Sequence, residues 1–191
     1  MNYNTLAREA HENAVAHGWW DEDRPFAEII GLIHFELSKA LEEYRDGREL
    51  NEIYYPTKSM LLPSQTPKPE GIPIELADAM IRVLDFLEHE KVDIDGWIKE
   101  SHAREAWIPD HITAEMDNPP GLIAAVHWMA SASYALSRSI YRVTSNYWLM
   151  LILMLVKIQE FCDNNEIDIK RALEIKMDYN KTRPHKHGKK I

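Results

Sequence analysis

The stretch Ile30–Arg45 reads IGLIHFELSKALEEYR, and the spacing of its apolar residues decides the fold. An α-helix turns about 100° per residue, so apolar residues three or four positions apart form one stripe along it. Glu36 and Glu43 fall on the border of this stripe, with Lys39 near the same edge. A carboxylate at such a border is partly desolvated and needs a partner or a metal. The residues of the stripe are Ile30, Ile33, Leu37, Ala40, Leu41 and Tyr44.

Similar periodicity along the whole chain predicts an all-α protein. The 191 residues are 45% hydrophobic, enough for a real core, and they include only 7 glycines and 4 phenylalanines. A connector over 48–73 carries five prolines, and a loop of this length is usually functional or mobile. The predicted helices are 4–18, 26–45, 74–90, 92–106, 121–142, 145–164 and 168–180.

Charge and composition exclude several classes of protein. The net charge of −9, from 22 basic and 31 acidic residues, argues against broad nucleic-acid binding and suits a protein that holds a cation. A single cysteine excludes an internal disulfide, and the polar N-terminal sequence lacks the apolar core of a signal peptide, so we expect a cytoplasmic protein. The most apolar run, 147–158, is shorter than the roughly 20 residues that cross a membrane. We expect it to form a buried core helix.

Two pairs of segments suggest an internal repeat. LIHFELSKALEEYR aligns with AVHWMASASYALSR at an offset of 93, which pairs His34 with His127. LADAMIRVLDFLEHEKVDI aligns with LILMLVKIQEFCDNNEIDI at an offset of 75. The sequence therefore predicts two related helical halves, 1–106 and 107–191, packed as a pseudo-dimer in one compact unit, although any two amphipathic helices share some pattern. The second half carries apolar residues where the first has edge carboxylates: Met129 for Glu36, Met150 for Glu75 and Leu153 for Asp78.

The spacing of the carboxylates is compatible with a metal site. Glu75 and Asp78 are one helical turn apart, and Glu36 and Glu43 are two turns apart on another helix. If the two helices pack antiparallel, their acidic edges converge, and clustered carboxylate oxygens suit Mg²⁺ or Mn²⁺. The alternative is a set of solvated edge charges in which Arg82 pairs with Asp78 or Asp85.

Three segments resemble the MazG-like, all-α nucleoside triphosphate pyrophosphohydrolases: FELSKALEEYR, KPEGIPIELADAMIRVLDF and KMDYNKTRPHKHGKK. The resemblance covers about 10–95 and 168–190. It implies a MazG-like helical bundle that uses Mg²⁺ to release pyrophosphate from NTPs or dNTPs, leaving the monophosphate. It also implies that Glu36, Glu75 and Asp78 are catalytic and bind the metal.

The second glutamate of the family's first motif falls on Lys39. A lysine donates hydrogen bonds but does not ligate a metal, and its charge opposes Mg²⁺. Glu43 could supply the missing carboxylate from one turn further along. Alternatively, the metal site is weakened or lost, and Lys39 contacts phosphate or neutralises the acidic residues directly.

The resemblance further implies that the C-terminal segment reaches over the site and binds substrate. Lys176 and Asn180 are four residues apart on one helical face, and Arg183 follows. The alternative is a solvated basic tail. Trp20, like Trp19, either stacks on a base or belongs to the core.

The sequence thus predicts a Mg²⁺-dependent (or Mn²⁺-dependent) nucleotide pyrophosphohydrolase with a nucleotide as its partner. It predicts no membrane or nucleic-acid partner and leaves a homodimer open. The alternative function is a catalytically inactive, MazG-like nucleotide-binding or structural helical protein.

Overall fold

The computed structural model describes residues 1–56, 66–101, 109, 112, 114–139 and 146–188. Within these ranges the chain is helical, and its only β-type pairing is an isolated bridge between Tyr54 and Glu70, which confirms the all-α class. The parts of the predicted helices at 102–106, 140–142 and 145 lie outside the described residues. Seven α-helices are described: α1 (Tyr3–Ala16), α2 (Phe26–Arg45), α3 (Ile72–His89), α4 (Ile94–Ser101), α5 (Pro119–Ser137), α6 (Leu149–Asn164) and α7 (Ile169–Lys181).

Side-chain caps fix where three helices begin. The side-chain oxygens of Asn2, Asn118 and Asp168 accept hydrogen bonds from the backbone N–H groups three residues ahead, in α1, α5 and α7. Asn118 and the two prolines that follow it start α5 at Pro119, earlier than the predicted position 121, because proline suits the first turn of a helix.

Helix α3 is the central helix of the fold. It packs against α1, α2, α6 and α7, and 15 of its 18 residues are buried. Three of the buried residues are carboxylates: Glu75, Asp78 and Asp85. The sequence places these groups on the edge of a stripe, but neighbouring helices also cover the side of α3 that was expected to face water. Their charges must therefore be balanced inside the protein.

The remaining packing joins the early and late parts of the chain. Helix α2 packs on α3 and also on α5, while α5 packs on α6. At the α2–α5 contact the Nδ1 atoms of His34 and His127 are hydrogen-bonded, and the two rings stack with centroids 4.8 Å apart. Helix α4 contacts α1 and α6, and the buried apolar residues of the described helices, apart from Met150, form one core cluster.

The C-terminal segment returns to the start of the fold. Helix α7 packs on α3 and contacts α1. Beyond it, the backbone N–H of Lys186 donates to the carbonyl oxygen of His17 at 2.8 Å, and Nε2 of His185 lies 3.0 Å from Oδ2 of Asp21. The end of the described chain therefore lies against the connection between α1 and α2.

Helix α6, which contains most of the apolar run, is largely buried and holds the buried thiol of Cys162. None of the helices in the described ranges combines the length and the apolar character needed to cross a membrane.

Candidate functional site

Helices α2 and α3 bring three buried carboxylates together. Glu36 comes from α2, and Glu75 and Asp78 come from successive turns of α3. One oxygen of each lies within 4.8 Å of the others, and these three form the only such group of potential metal ligands among the residues that the structure describes. We call Glu36, Glu75 and Asp78 the acidic cluster. Burial raises the pKa of Glu75 above its usual value, and the nearby charge of Asp78 adds to this effect, while Lys39 opposes it.

Lys39 lies inside the acidic cluster. Its ammonium group is 2.8 Å from Oε2 of Glu36 and also donates a hydrogen bond to Oε2 of Glu75. Burial alone would lower the pKa of Lys39, but the charges of Glu36 and Glu75 outweigh burial and raise it above the ordinary value. Lys39 is therefore a cation that bridges two carboxylates of the cluster.

Lys176 of α7 neutralises the third member of the cluster. Its Nζ lies 2.6 Å from Oδ2 of Asp78, and both side chains are buried. Burial opposes ionisation of Asp78, yet the charges of Lys176 and Arg82 hold the pKa of this carboxyl below its usual value. In this setting, removing either partner would leave the other as an uncompensated buried charge.

Arg82 completes the charge balance. Its Nη2 lies 3.3 Å from Oε1 of Glu36, so this guanidinium group reaches across to α2 instead of pairing with Asp78 or Asp85. The three carboxylates are thus matched by the cations of Lys39, Arg82 and Lys176. Lys68, which pairs with Glu70 at 2.9 Å, also lies 3.8 Å from Oε1 of Glu75.

Polar groups of the C-terminal segment lie beside this balanced cluster. Asn180 is one turn beyond Lys176 and is buried, and its Oδ1 has no hydrogen-bond partner within the described ranges. Nε2 of His187 is also buried and unpaired there. Burial and the charges of Arg183 and Arg82 lower the pKa of His187 to about 3, so its ring is neutral at pH 7. Arg183 donates to the carbonyl oxygen of His187 at 3.3 Å.

Two of the predicted site residues have other partners. Both oxygens of Glu43 accept from the hydroxyl group of Tyr54 at 3.1 Å, and Glu43 is not part of the acidic cluster. Trp20 donates from Nε1 to Oδ1 of Asp85 at 2.8 Å and stacks on His89 with centroids 3.8 Å apart. The structure brings Glu36, Lys39, Glu75, Asp78 and Lys176 into direct contact.

Sequence reasoning missed Arg24, which lies in the connection between α1 and α2. Its guanidinium group lies 5.2 Å from the ring centroid of Trp19 and 5.4 Å from that of Trp20, while Arg82 lies 5.3 Å from the Trp19 centroid on the cluster side. Nη2 of Arg24 is buried and has no partner among the described residues. The tryptophan pair therefore links the α1–α2 connection to the site through cation–π contacts. The Arg82–Trp19 contact joins residues far apart in sequence, so no local pattern indicates it.

Comparisons with known proteins add no assignment. No protein-family model matches the chain, and neither curated proteins nor solved structures give a match.

Proposed function

We propose that this protein is a Mg²⁺-dependent nucleoside triphosphate pyrophosphohydrolase of the MazG-like class, converting an NTP or dNTP to the monophosphate and pyrophosphate. The observation that carries the proposal is the acidic cluster, three buried carboxylates whose oxygens approach within 4.8 Å of one another. The cationic and amide groups of Lys176 and Asn180 on the adjacent face of α7 support it.

The chemistry of the cluster fits Mg²⁺ or Mn²⁺ as the cofactor. All three potential ligands are carboxylate oxygens, the donors that these hard cations prefer. Glu36, Glu75 and Asp78 would hold the ion, and a bound ion would polarise phosphoryl oxygens and activate water. The fit depends on movement of Lys39, because its ammonium now bridges two of the three carboxylates.

The reaction is a hydrolysis. A water oxygen forms a bond to the α-phosphorus, the bond from that phosphorus to the oxygen bridging to the β-phosphorus breaks, and pyrophosphate leaves. A carboxylate of the cluster orients the water and accepts its proton. Lys176, Asn180 and Arg183 would hold the substrate, with the guanidinium group of Arg183 suited to a phosphate by charge and shape.

The fold proposed for this enzyme is a MazG-like bundle of two related halves. The repeat offsets pair α2 with α5, α3 with α6 and α4 with α7. The packing follows the same pairing: α2–α3 corresponds to α5–α6, and α3–α7 corresponds to α6–α4. The contact of His34 with His127, which are equivalent in the repeat, lies where α2 meets α5. These correspondences support a pseudo-dimer in which each half packs its last helix on the other half.

The second half then serves as a packing partner without an acidic site. Met129 and Met150, at the positions equivalent to Glu36 and Glu75, are both buried, and Met129 belongs to the hydrophobic core cluster. The proposal therefore assigns one acidic site to each chain.

A second function is favoured by the position of Lys39. A cation bridging Glu36 and Glu75 could exclude a metal ion altogether, and the protein would then bind nucleotides without hydrolysing them. Calorimetry with turnover assays separates the two: tight nucleotide binding without pyrophosphate release supports this second function.

The test of the proposed enzyme is pyrophosphate release from a panel of NTPs and dNTPs with Mg²⁺ or Mn²⁺. We expect metal-dependent turnover of at least one nucleotide in the wild type. We expect the Glu36→Gln variant to lose at least about a hundredfold in kcat/KM, as is typical when a group that stabilises transition-state charge is removed. Absence of release above background with every nucleotide would overturn the proposal.

Glu43→Gln is the matched control. It makes the same change in the same helix, but Glu43 accepts from Tyr54 outside the cluster. Its kcat/KM should stay near that of the wild type. A loss equal to that of Glu36→Gln would instead make Glu43 the replacement ligand.

A further inference from the structure

The ammonium of Lys39 occupies the position that a metal ion in the cluster would need. Nζ of Lys39 bonds to Oε2 of both Glu36 and Glu75, the two carboxylates that would hold the ion together with Asp78. The two cations cannot share this position, because their charges repel and the ammonium supplies no lone pair. Metal binding therefore requires Lys39 to leave.

Lys39 is better able to leave the acidic cluster than Lys176 is. Its side chain is 23% exposed, whereas that of Lys176 is 2% exposed. Its Nζ lies 5.5 Å from the ring centroid of Phe35, a residue that is 58% exposed, so the ammonium lies near solvent. A lysine has a flexible four-carbon stem, so its ammonium can reach a nearby position without movement of the backbone.

The charge balance predicts what must accompany a metal ion. The acidic cluster carries three negative charges, and Lys39, Arg82 and Lys176 carry three positive charges. Lys68 lies 3.8 Å from Glu75, but its charge is matched by Glu70 at 2.9 Å. A divalent cation added to this set, with Lys39 swung aside but still nearby, leaves an excess of two positive charges in a partly buried site. Such an excess is unfavourable unless an anion arrives with the metal.

An independent observation points to a ligand beside the cluster. Asn180 is 5% exposed, and its Oδ1 has no hydrogen-bond partner among the described residues. It lies on the same face of α7 as Lys176, which touches Asp78. A buried acceptor without a donor costs free energy that an incoming ligand group can recover.

We propose that Lys39 is an exchangeable counter-ion of the acidic cluster. A divalent cation and a polyphosphate displace it jointly, and its ammonium then binds a phosphate of that polyphosphate. The identity of the phosphate ligand rests on the proposed function. The metal and the polyphosphate are then coupled, each raising the affinity for the other.

The first test is a calorimetric titration with Mn²⁺ alone. It compares the wild type with the Lys39→Met variant. Removing the competing cation should tighten Mn²⁺ binding at least tenfold in Lys39→Met. Lys39→Arg keeps the charge and should bind like the wild type. Lys157 pairs with Glu160 on α6, where Nζ lies 2.6 Å from Oε2. The Lys157→Met variant removes that charge away from the cluster and should leave the Mn²⁺ affinity unchanged. Equal or weaker Mn²⁺ binding by Lys39→Met would overturn the proposal.

The second test measures the coupling with an α,β-methylene nucleoside triphosphate, which cannot be hydrolysed at this bond. The affinity gain that Mn²⁺ gives to this analogue should be larger in the wild type than in Lys39→Met; an equal gain counts against the proposal. Direct binding of Mn²⁺ to the analogue is the same in both experiments and cancels.

Failure of this proposal can be distinguished from failure of the proposed enzymatic function. The Mn²⁺ titration contains no nucleotide and needs no turnover, so it can succeed in a protein that does not hydrolyse anything. If Lys39→Met does not give a native circular dichroism spectrum and melt, Lys39→Gln replaces it with the same expected gain. The gain remains measurable because the glutamine amide is neutral and can still hydrogen-bond both carboxylates.

Discussion

At the scale of single residues, Lys176 and Asp78 form a buried ion pair in which each charge depends on the other for its compensation. Each side chain is buried, and their charged atoms are 2.6 Å apart. Removing one partner of a buried ion pair leaves an uncompensated charge in a medium that solvates it poorly. Replacing both with apolar groups of similar volume removes that penalty.

We predict that Lys176→Met lowers the free energy of unfolding by about 3–5 kcal/mol, the usual cost of breaking a buried pair. The double variant Asp78→Leu with Lys176→Met should recover most of this loss. Urea denaturation at pH 7 measures both. Lys170→Met, on an exposed turn of the same helix, should stay within about 0.5 kcal/mol of the wild type. A double variant as unstable as the single one would contradict the assigned pairing.

At the scale of elements, two glycines in similar sequence contexts play different parts. Gly71 precedes α3, with φ of 120°, and a Cβ there would lie 2.2 Å from the carbonyl oxygen of Glu52. This close approach is next to the Tyr54–Glu70 bridge that fixes the start of the central helix. Gly31 lies within α2, and a Cβ there would meet nothing within 4 Å.

Alanine substitutions should therefore have opposite signs at these two positions. Gly31→Ala should stabilise the protein by about 0.5–1 kcal/mol, because alanine is the better helix former. Gly71→Ala should destabilise it by more than about 1 kcal/mol, since its backbone conformation and space both exclude a side chain. Thermal unfolding of the two variants side by side is the measurement, and a shift of the same sign in both would refute the assignment.

At the scale of the whole molecule, the contact between α2 and α5 contains two imidazoles that repel one another if both are protonated. Burial and the neighbouring His34 lower the pKa of His127 from 6.5 to about 4, and burial also lowers the pKa of His34. A pKa that is lower in the folded state than in the unfolded state means that folding disfavours the charged form. The contribution of this pair to stability is therefore complete above pH 6.5 and is lost as the pH falls toward 4.

We predict that the loss of unfolding free energy between pH 7.5 and pH 5 is larger in the wild type than in the double variant His34→Gln with His127→Gln. Glutamine keeps hydrogen-bonding capacity but does not titrate. Other titrating groups, including His187, are present in both proteins and cancel in the difference. An identical pH dependence in the two proteins would show that the pair does not titrate on unfolding.

The helices themselves could be predicted from periodicity, because each depends on local spacing and on nearby caps. The sequence also singled out Glu36, Glu75 and Asp78, and the structure brings them together. It could not show that Lys39 bridges two of them, since that contact depends on how α2 lies against α3. Nor could it show that Arg82 reaches Glu36 or that Trp20 anchors Asp85. The burial of the α3 carboxylates was missed for the same reason, because a single helix does not reveal how many neighbours surround it.

The position of Lys176 also has a consequence for synthesis of the protein. A ribosome adds Asp78 ninety-eight residues before it adds Lys176, and for that interval the nascent chain carries the carboxylate without its counter-ion. The face of α3 that α7 covers stays open over the same interval. During synthesis, α7 is the last of the described α-helices to become available for packing on α3. A chain that ended before α7 would expose an incomplete core to cellular proteases.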